Sequence, residues 1–378
     1  MRIGIDAHVL GKNKGGVERY VEHLVKRLPE AAPQHHFSIF ISSQADEALA
    51  GPARPNVRIV RLPVSDPLLQ RSLILPWLIR RHRLDLIQVQ RIAPLFSGRC
   101  PVLLTVHDLI PLHHRQQYRG LRHELVRRMT GFSLRRAKMI LTPTLAVAED
   151  IRHHFPQIDA PLRAFYNGVE LNQFDAQPSG NESATLARLG LREPYLLTVG
   201  AIEARKNLEA VIGALAQLRQ PATLAIVGGI RDDAYHRRMR SLVEELGVTS
   251  RVHWLGFVSN PDLADLYRRA ELFVTPSWDE GFNIPPLEAM ASGVPVLCSD
   301  IPVHRELFAQ AAGFFAADAP GELAQSIDEL LNDGSRRKDM VRGGRDCAAR
   351  YSWEAMTTRM TGFIDELHML PTLREHRV

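Results

Sequence analysis

Short apolar runs alternate with amphipathic stretches along the whole chain. RIGIDA, FSIFI, VRIVRL, LDLIQV, VLLTVH and MILTP read as buried strands, whereas VERYVEHLVKRL and LVRRMTGFSLRRA repeat apolar positions every three or four residues, as helices do. Such βα alternation predicts a parallel sheet with helices on both faces. A second series starts near Pro194 with YLLTVG, TLAIVGG, RVHWLG, LFVTP and VPVLCS, separated by helical segments such as LEAVIGALAQL and AYHRRMRSLVEELG. The same architecture therefore appears twice, as two doubly wound α/β domains over 1–170 and 190–352 whose ligand sites lie at the carboxyl ends of their strands and face each other across a cleft. Pro178, Ser179, Gly180 and Asn181 are turn formers in the polar stretch 169–193, which reads as the linker. The last stretch has Trp353, Met356, Met360, Phe363 and Leu367 at helical spacing, and a C-terminal helix over 353–378 is assigned to the first domain.

At 378 residues the chain is too long for one ordinary core, and 45% hydrophobic with 24% charged residues is the composition of a folded protein. The opening MRIGIDAHVL already reads as a strand and lacks the parts of an export signal. LILPWLI at 73–79 is far short of the roughly 18 to 20 residues a membrane helix needs, and it runs into Arg80 and Arg81. Cys100, Cys298 and Cys347 have no disulfide or metal-site spacing. These features predict a cytoplasmic protein with reduced thiols. Charge is divided unevenly: residues 1–168 carry 25 Lys+Arg against 13 Asp+Glu, or +12, which leaves 22 against 29, or −7, for the rest. A basic half suggests nucleic acid, anionic membrane or phosphorylated substrates.

The loops after strands are where chemistry is expected. GKNKGGVERY puts Gly15 and Gly16 just before a helix, where backbone can approach a phosphate and helix N–H groups favour an anion; the alternative is a plain flexible loop. It has neither the GxGxxG nor the GxxxxGKS spacing, which disfavours dinucleotide and P-loop classes. VGAIEARKN puts Arg205 and Lys206 at the mouth of the next helix, able to neutralise a diphosphate or, alternatively, to form a solvated surface pair. In SWDEGFNIPPLEAMASG, Gly281 and the prolines 285 and 286 prevent one continuous helix, so Glu280 falls in a loop and Glu288 in the first turn of a helix. A carboxylate there can accept two hydroxyl hydrogen bonds from a sugar, or simply favour the helix dipole.

The pattern P-S-x-x-E-G-F-x-x-P-x-L-E-A-M-A-x-G-x-P-V from Pro276 to Val296 resembles the signature of glycosyltransferase family 4, retaining sugar transferases of the GT-B fold. TVHDLIP at 105–111, YNGV at 166–169, VGAIEARKN at 199–207 and WLGFV at 254–258 extend the resemblance over most of the chain. It implies two Rossmann-like domains, the first binding acceptor and the second nucleotide sugar. It further implies that Arg205 and Lys206 hold the donor diphosphate with Gly15 and Gly16 near it, and that Glu288 holds the ribose. Glu280 and the backbone of Gly281, Phe282 and Asn283 would hold the transferred sugar, the backbone at Phe257 and Val258 would face the base, and His107 would lie against sugar and acceptor. Two departures stand out: Ala201 follows Gly200 where many members have Arg, and Asn283 replaces a common Gly.

The implied reaction moves a sugar from a nucleoside diphosphate to an acceptor hydroxyl with retention, by a front-face route in which Glu280 is not a covalent nucleophile. No Asp-x-Asp or clustered carboxylates suggest a divalent ion, so no cofactor or metal is expected. EARKN with EGFNIPPLEAMASGVPVLCSDIPVHRE is most similar to bacterial mannosyl- and rhamnosyltransferases of surface-polysaccharide assembly, which implies GDP-mannose; UDP-glucose, UDP-GlcNAc and dTDP-rhamnose stay open as donors, as does a nucleotide-sugar epimerase or a phosphorylase of the same fold. The basic segment 113–138, with Arg115, Arg119, Arg122, Arg127, Arg128, Arg135, Arg136 and Lys138, could hold an anionic membrane carrying a polyprenyl-linked acceptor, or be a solvated helix. A nucleic-acid partner is not expected, because no recognition motif accompanies the sequence pI near 9.3.

Overall fold

A computed structural model describes residues 1–12, 15–63, 66, 69–113 and 121–369. The chain divides into two compact units, Met1–Asn167 with the segment from Trp353, and Gly168–Ser352.

In the first unit, β1 (Arg2–Ala7), β2 (His36–Ser42), β3 (Val57–Leu62), β4 (Leu86–Gln90), β5 (Val102–Thr105), β6 (Ala137–Thr142) and β7 (Leu162–Ala164) form one sheet in the order β3-β2-β1-β4-β5-β6-β7. Every neighbouring pair is parallel. β4 and β5 are buried at every position, as expected of central strands covered on both faces. The chain winds outward from β1 to β3, then returns to β4 beside β1 and winds the other way. The loops after β1 and β4 thus diverge and leave a crevice at the carboxyl edge.

The second unit repeats this plan. β8 (Tyr195–Val199), β9 (Thr223–Val227), β10 (Val252–Gly256), β11 (Leu272–Thr275), β12 (Val296–Ser299) and β13 (Gly313–Phe315) run in the order β10-β9-β8-β11-β12-β13, again all parallel. Its reversal lies between β8 and β11. Gly228, just after β9, shows how closely the loops meet there: a Cβ on it would lie 1.9 Å from the Gly200 carbonyl oxygen, so no other residue fits.

The polar stretch 169–193 is not a free linker. It belongs to the second unit and includes a helix, Glu182–Arg188, whose neighbourhood is tied to the helix Asn260–Arg269: Ser179 Oγ and Thr185 Oγ1 donate to the two Asp265 carboxylate oxygens at 2.7 and 2.8 Å. Turn formers describe the path of this segment, but two hydroxyls facing one buried carboxylate decide where it docks. The last helix, Trp353–Met369, packs in the first unit on the helix Gly16–Ala31, where the Trp353 ring stacks on His23 at 4.0 Å and Tyr20 approaches Met360. Positions 370–378 of the predicted helix lie outside the described residues.

Candidate functional site

The residues after β8 and β11 meet at the reversal of the second sheet. Arg205 and Lys206 lie in a short 3-10 turn, Ala204–Lys206, and Glu280 lies in the loop that follows β11. Lys206 Nζ is 2.5 Å from Glu280 Oε1, and Arg205 is 2.6 Å from Glu280 Oε2. Arg205 also donates to Glu203 at 2.7 Å and to the Asp279 carbonyl at 2.7 Å, and Ser277 Oγ donates to Glu280 Oε1 at 2.8 Å. The side chains are shielded from solvent, with Glu280 7%, Arg205 12% and Lys206 14% exposed, so this is not a solvated surface pair.

Charge and burial oppose each other in this cluster. Burial alone would raise the Glu280 carboxyl, but the adjacent Arg205 and Lys206 prevail and hold it down at about 2. Burial lowers the Lys206 ammonium and the Arg205 charge pushes it the same way, against the pull of Glu280. Arg205 is raised: burial disfavours its charge, and the Glu280 and Glu203 carboxylates outweigh that. Two cations and two carboxylates leave the cluster formally neutral. A small recess beside it is lined by Thr198, Gly200, Ala201, Lys206, Thr275 and Ser277. Gly200 makes room for the lysine, since a Cβ there would stand 3.1 Å from Lys206 Cε.

Asn283 sits just past Gly281 and buried Phe282, with φ at 74°. The replacement of a common glycine therefore keeps the left-handed backbone that glycine supplies, because asparagine tolerates that region better than other side chains. Its Nδ2 donates to Thr275 Oγ1 at 2.9 Å and lies 3.0 Å from His304 Nε2. The other ring nitrogen of His304, Nδ1, lies 2.9 Å from the Ser299 carbonyl, which can only accept. That carbonyl places the proton on Nδ1 and leaves Nε2 to receive the amide. Asn283 Oδ1 is buried without a partner among the described residues.

Glu288 lies in the first turn of the helix Pro285–Ala291, 2% exposed, and accepts from Tyr267 Oη at 3.0 Å. Phe257, just past β10, is 85% exposed, next to buried Val258. In the first unit, Gly15 has φ 63° and caps the helix that begins at Gly16. His107 follows β5, where its Nε2 is 2.9 Å from Gln90 Oε1; Gln90 donates in turn to Gln88, and Gln88 to Thr105. Burial lowers the His107 imidazole to about 4, so it is neutral near pH 7, and the Gln90 oxygen holds the proton on Nε2.

Arg205, Lys206 and Glu280 are thus joined directly, while Gly15, Gly16 and His107 belong to the other unit. Glu203, Ser277, Thr275, Tyr267 and His304 complete the polar framework, and residue-by-residue reading did not single them out. Ser277 and His304 do stand in quoted motifs, but only the fold brings the loop after β12 beside the one after β11. Elsewhere in the first unit, His113 and His154 both approach Asp150, at 3.0 Å each.

The buried histidines give the protein an acid sensitivity. Burial holds His304 and His107 at about 4 and His23 at about 3, against an ordinary 6.5. Below about pH 6.5 the unfolded chain binds protons that the folded chain refuses, so this stability is complete above 6.5 and drains away toward pH 4 at about 1.4 kcal/mol per pH unit for each histidine. Urea midpoints should fall from about pH 6.5 downward, and fall less steeply in His304→Gln. A midpoint that stays level down to about pH 5 would contradict this account.

Two family models match the chain, Glycosyltransferase Family 4 over residues 14–173 and Glycosyl transferases group 1 over 187–346. An O-antigen chain mannosyltransferase of Salmonella typhimurium, RfbU, is 28% identical over 70% of this chain and 69% of its own length. The serotype-specific mannosyltransferase WbdA of Escherichia coli is 28% identical over 65% of this chain, a match that spans only 31% of the relative. In fold, sucrose-phosphate synthase from Thermosynechococcus elongatus superposes with a TM-score of 0.79 at 23% identity, over 97% of this chain and 99% of that one. With two parallel α/β units and both family models in chain order, the protein belongs to the family 4, group 1 glycosyltransferases of the GT-B fold.

Proposed function

We propose that this glycosyltransferase moves mannose from GDP-mannose, with retained anomeric configuration, to a hydroxyl of a saccharide or lipid-linked saccharide in polysaccharide assembly. The observation that carries the reading is the buried Arg205–Lys206–Glu280 cluster at the β8/β11 reversal, where a nucleotide diphosphate is expected in a doubly wound domain. Arg205 and Lys206 take the diphosphate. Glu288 takes the ribose hydroxyls, and the backbone at Phe257 and Val258 meets the base. Glu280 and the backbone of Gly281, Phe282 and Asn283 hold the sugar, and the first unit, with His107, serves the acceptor. As the bond between the anomeric carbon and the diphosphate oxygen breaks, charge grows on the leaving oxygen, and Arg205 and Lys206 stabilise it without a divalent ion. The acceptor hydroxyl forms the new glycosidic bond on the same face and gives its proton to the departing phosphate. The mannosyltransferase names of RfbU and WbdA support mannose as the sugar.

The test is a thermal-shift titration in EDTA with GDP, UDP, dTDP and ADP and their sugars, on the native protein and on Glu288→Ala. GDP and GDP-mannose should stabilise the native protein, and Glu288→Ala should lose most of the shift. Stabilisation by another nucleotide would replace the donor and keep the site. If none of them shifts the midpoint, the transferase assignment of these residues is wrong.

A further inference from the structure

Two stretches of the first unit that carry paired histidines, at 113–114 and 153–154, meet at one aspartate; His114 lies outside the described residues. His113 ends the short helix Ile110–His113, which follows β5, and His154 ends the helix Leu145–His154. Val147, Ala148 and Ile151 turn the inner side of that second helix into the core. Asp150 and His154, four residues apart, are neighbours on its outer side. His113 Nε2 lies 3.0 and 3.1 Å from the two Asp150 oxygens, and His154 Nδ1 lies 3.0 Å from Asp150 Oδ1. One donor atom from each of the three residues falls within 4.8 Å of the other two.

Hydrogen bonding alone gives little reason for this convergence. His113 is 31%, Asp150 24% and His154 33% exposed, and ion pairs or hydrogen bonds so open to water contribute little to stability. Two imidazoles and a carboxylate are, by contrast, a donor set suited to zinc-type ions, with a fourth position left for water. Tetrahedral bonds of about 2.0 to 2.2 Å space neighbouring donors by about 3.3 Å, so the side chains need only small rotations to receive an ion. Two ligands four residues apart on one helix face are the spacing by which helices present metal ligands. Magnesium and calcium, which take oxygen ligands, are disfavoured by the two rings. Binding exchanges the N–H protons that point at Asp150 for the ion, and displaces the contact of His154 Nδ1 with the Asp150 carbonyl at 3.1 Å.

We propose that His113, Asp150 and His154 bind a divalent transition-metal ion of the zinc type. The ion pins the end of the segment 107–113 to a helix anchored in the core, and thereby restrains the loop that begins at His107. No spaced motif announces such a site, because 37 residues separate His113 from Asp150 and only the fold brings them together. The ion belongs to the first unit, takes no part in the Arg205–Lys206–Glu280 cluster, and is independent of which nucleotide sugar is used. His153 meets the His154 ring edge-on at 5.1 Å and is the neighbouring histidine that the site does not use.

Calorimetric titration of the full chain with Zn²⁺, after treatment with EDTA and dialysis, tests the proposal. One equivalent should bind and raise the thermal midpoint, and Mg²⁺ in excess should not compete. Co²⁺ should give the visible absorption of a four-coordinate site. His113→Ala and Asp150→Asn should each weaken Zn²⁺ binding by at least the roughly 10- to 100-fold that losing a mere supporting group costs. His153→Gln should leave it unchanged, which separates the site from casual binding by surface histidines. In the native protein, without any substitution, Zn²⁺ should shift the ring resonances of His113 and His154 and leave those of His153 in place, so the proposal stays testable even if a variant folds poorly. No uptake of Zn²⁺, uptake indifferent to His113→Ala and Asp150→Asn, or uptake lost equally in His153→Gln would overturn it.

Discussion

Glu280→Gln is expected to slow sugar transfer sharply while tightening the binding of a nucleoside diphosphate alone. Both cations proposed for the diphosphate, Arg205 and Lys206, are engaged by this one carboxylate, at 2.6 and 2.5 Å. A diphosphate must therefore share or displace it, and a neutral amide of the same size removes the competitor. Transfer should fall about 10²- to 10³-fold, the usual effect of losing one preorganised polar contact to the reacting group. Stability should fall as well, by about 3 to 5 kcal/mol, because buried cations lose their counter-charge; added diphosphate should restore much of it. The same carboxylate sets an acid limit. Held at about 2 against an ordinary 4.5, it contributes stability that is complete above about pH 4.5 and is lost as pH falls through 2. Calorimetric titration with the nucleoside diphosphate, set beside transfer rates, checks the opposite signs. A parallel loss of binding and turnover would mean that Glu280 contacts the nucleotide rather than the sugar.

Lys206→Ala should separate function from folding in the other direction. Turnover is expected to drop about 10²- to 10³-fold and the nucleotide-induced thermal shift to shrink sharply, since the cation proposed to stabilise the leaving group is missing. The fold should hold or gain slightly. Burial opposes the ammonium charge, and Glu280 keeps both Arg205 and the Ser277 hydroxyl when the lysine is gone. Lys206→Arg should not rescue, because the lysine stem passes so close to Gly200 that a Cβ there would stand 3.1 Å from its Cε, and a planar guanidinium replaces a compact ammonium. Urea midpoints measured beside donor titrations decide the matter. A variant that binds donor normally would remove Lys206 from the site, and one that unfolds would make its role structural.

Much of this was legible in the sequence because it is local. Period-two and period-three-to-four apolar patterns depend only on near neighbours, so eleven of the thirteen strands among the described residues stand in the chain as apolar runs. β7 and β13 do not: at three residues each, they are too short to show a period and exist as edges on strands already formed. Gly281 and the two prolines likewise divide loop from helix by backbone sterics alone, which is why Glu280 and Glu288 could be assigned to different elements in advance. Motif spacing also carried the family, because the loop after β11 and its helix are contiguous.

What the chain could not specify locally is which distant groups share a dielectric. Whether Arg205 and Lys206 are a solvated pair or buried partners of Glu280 depends on β8 lying beside β11, 74 residues apart for Lys206 and Glu280. Pairing of that kind comes from sheet order. The same holds for His304, whose neutral ring and fixed tautomer follow from burial against Ser299 and Asn283, and for the stretch 169–193, whose polar residues suggested a linker until Asp265 supplied the partner. Exposed Trp77 is the converse case, since hydrophobic residues in sequence are expected inside, and only the packed core shows which were left out. The elements, their alternation and the family thus follow from short-range sterics and spacing along the chain. Protonation, pairing and exposure are set by the fold, because they depend on what the rest of the chain removes from water.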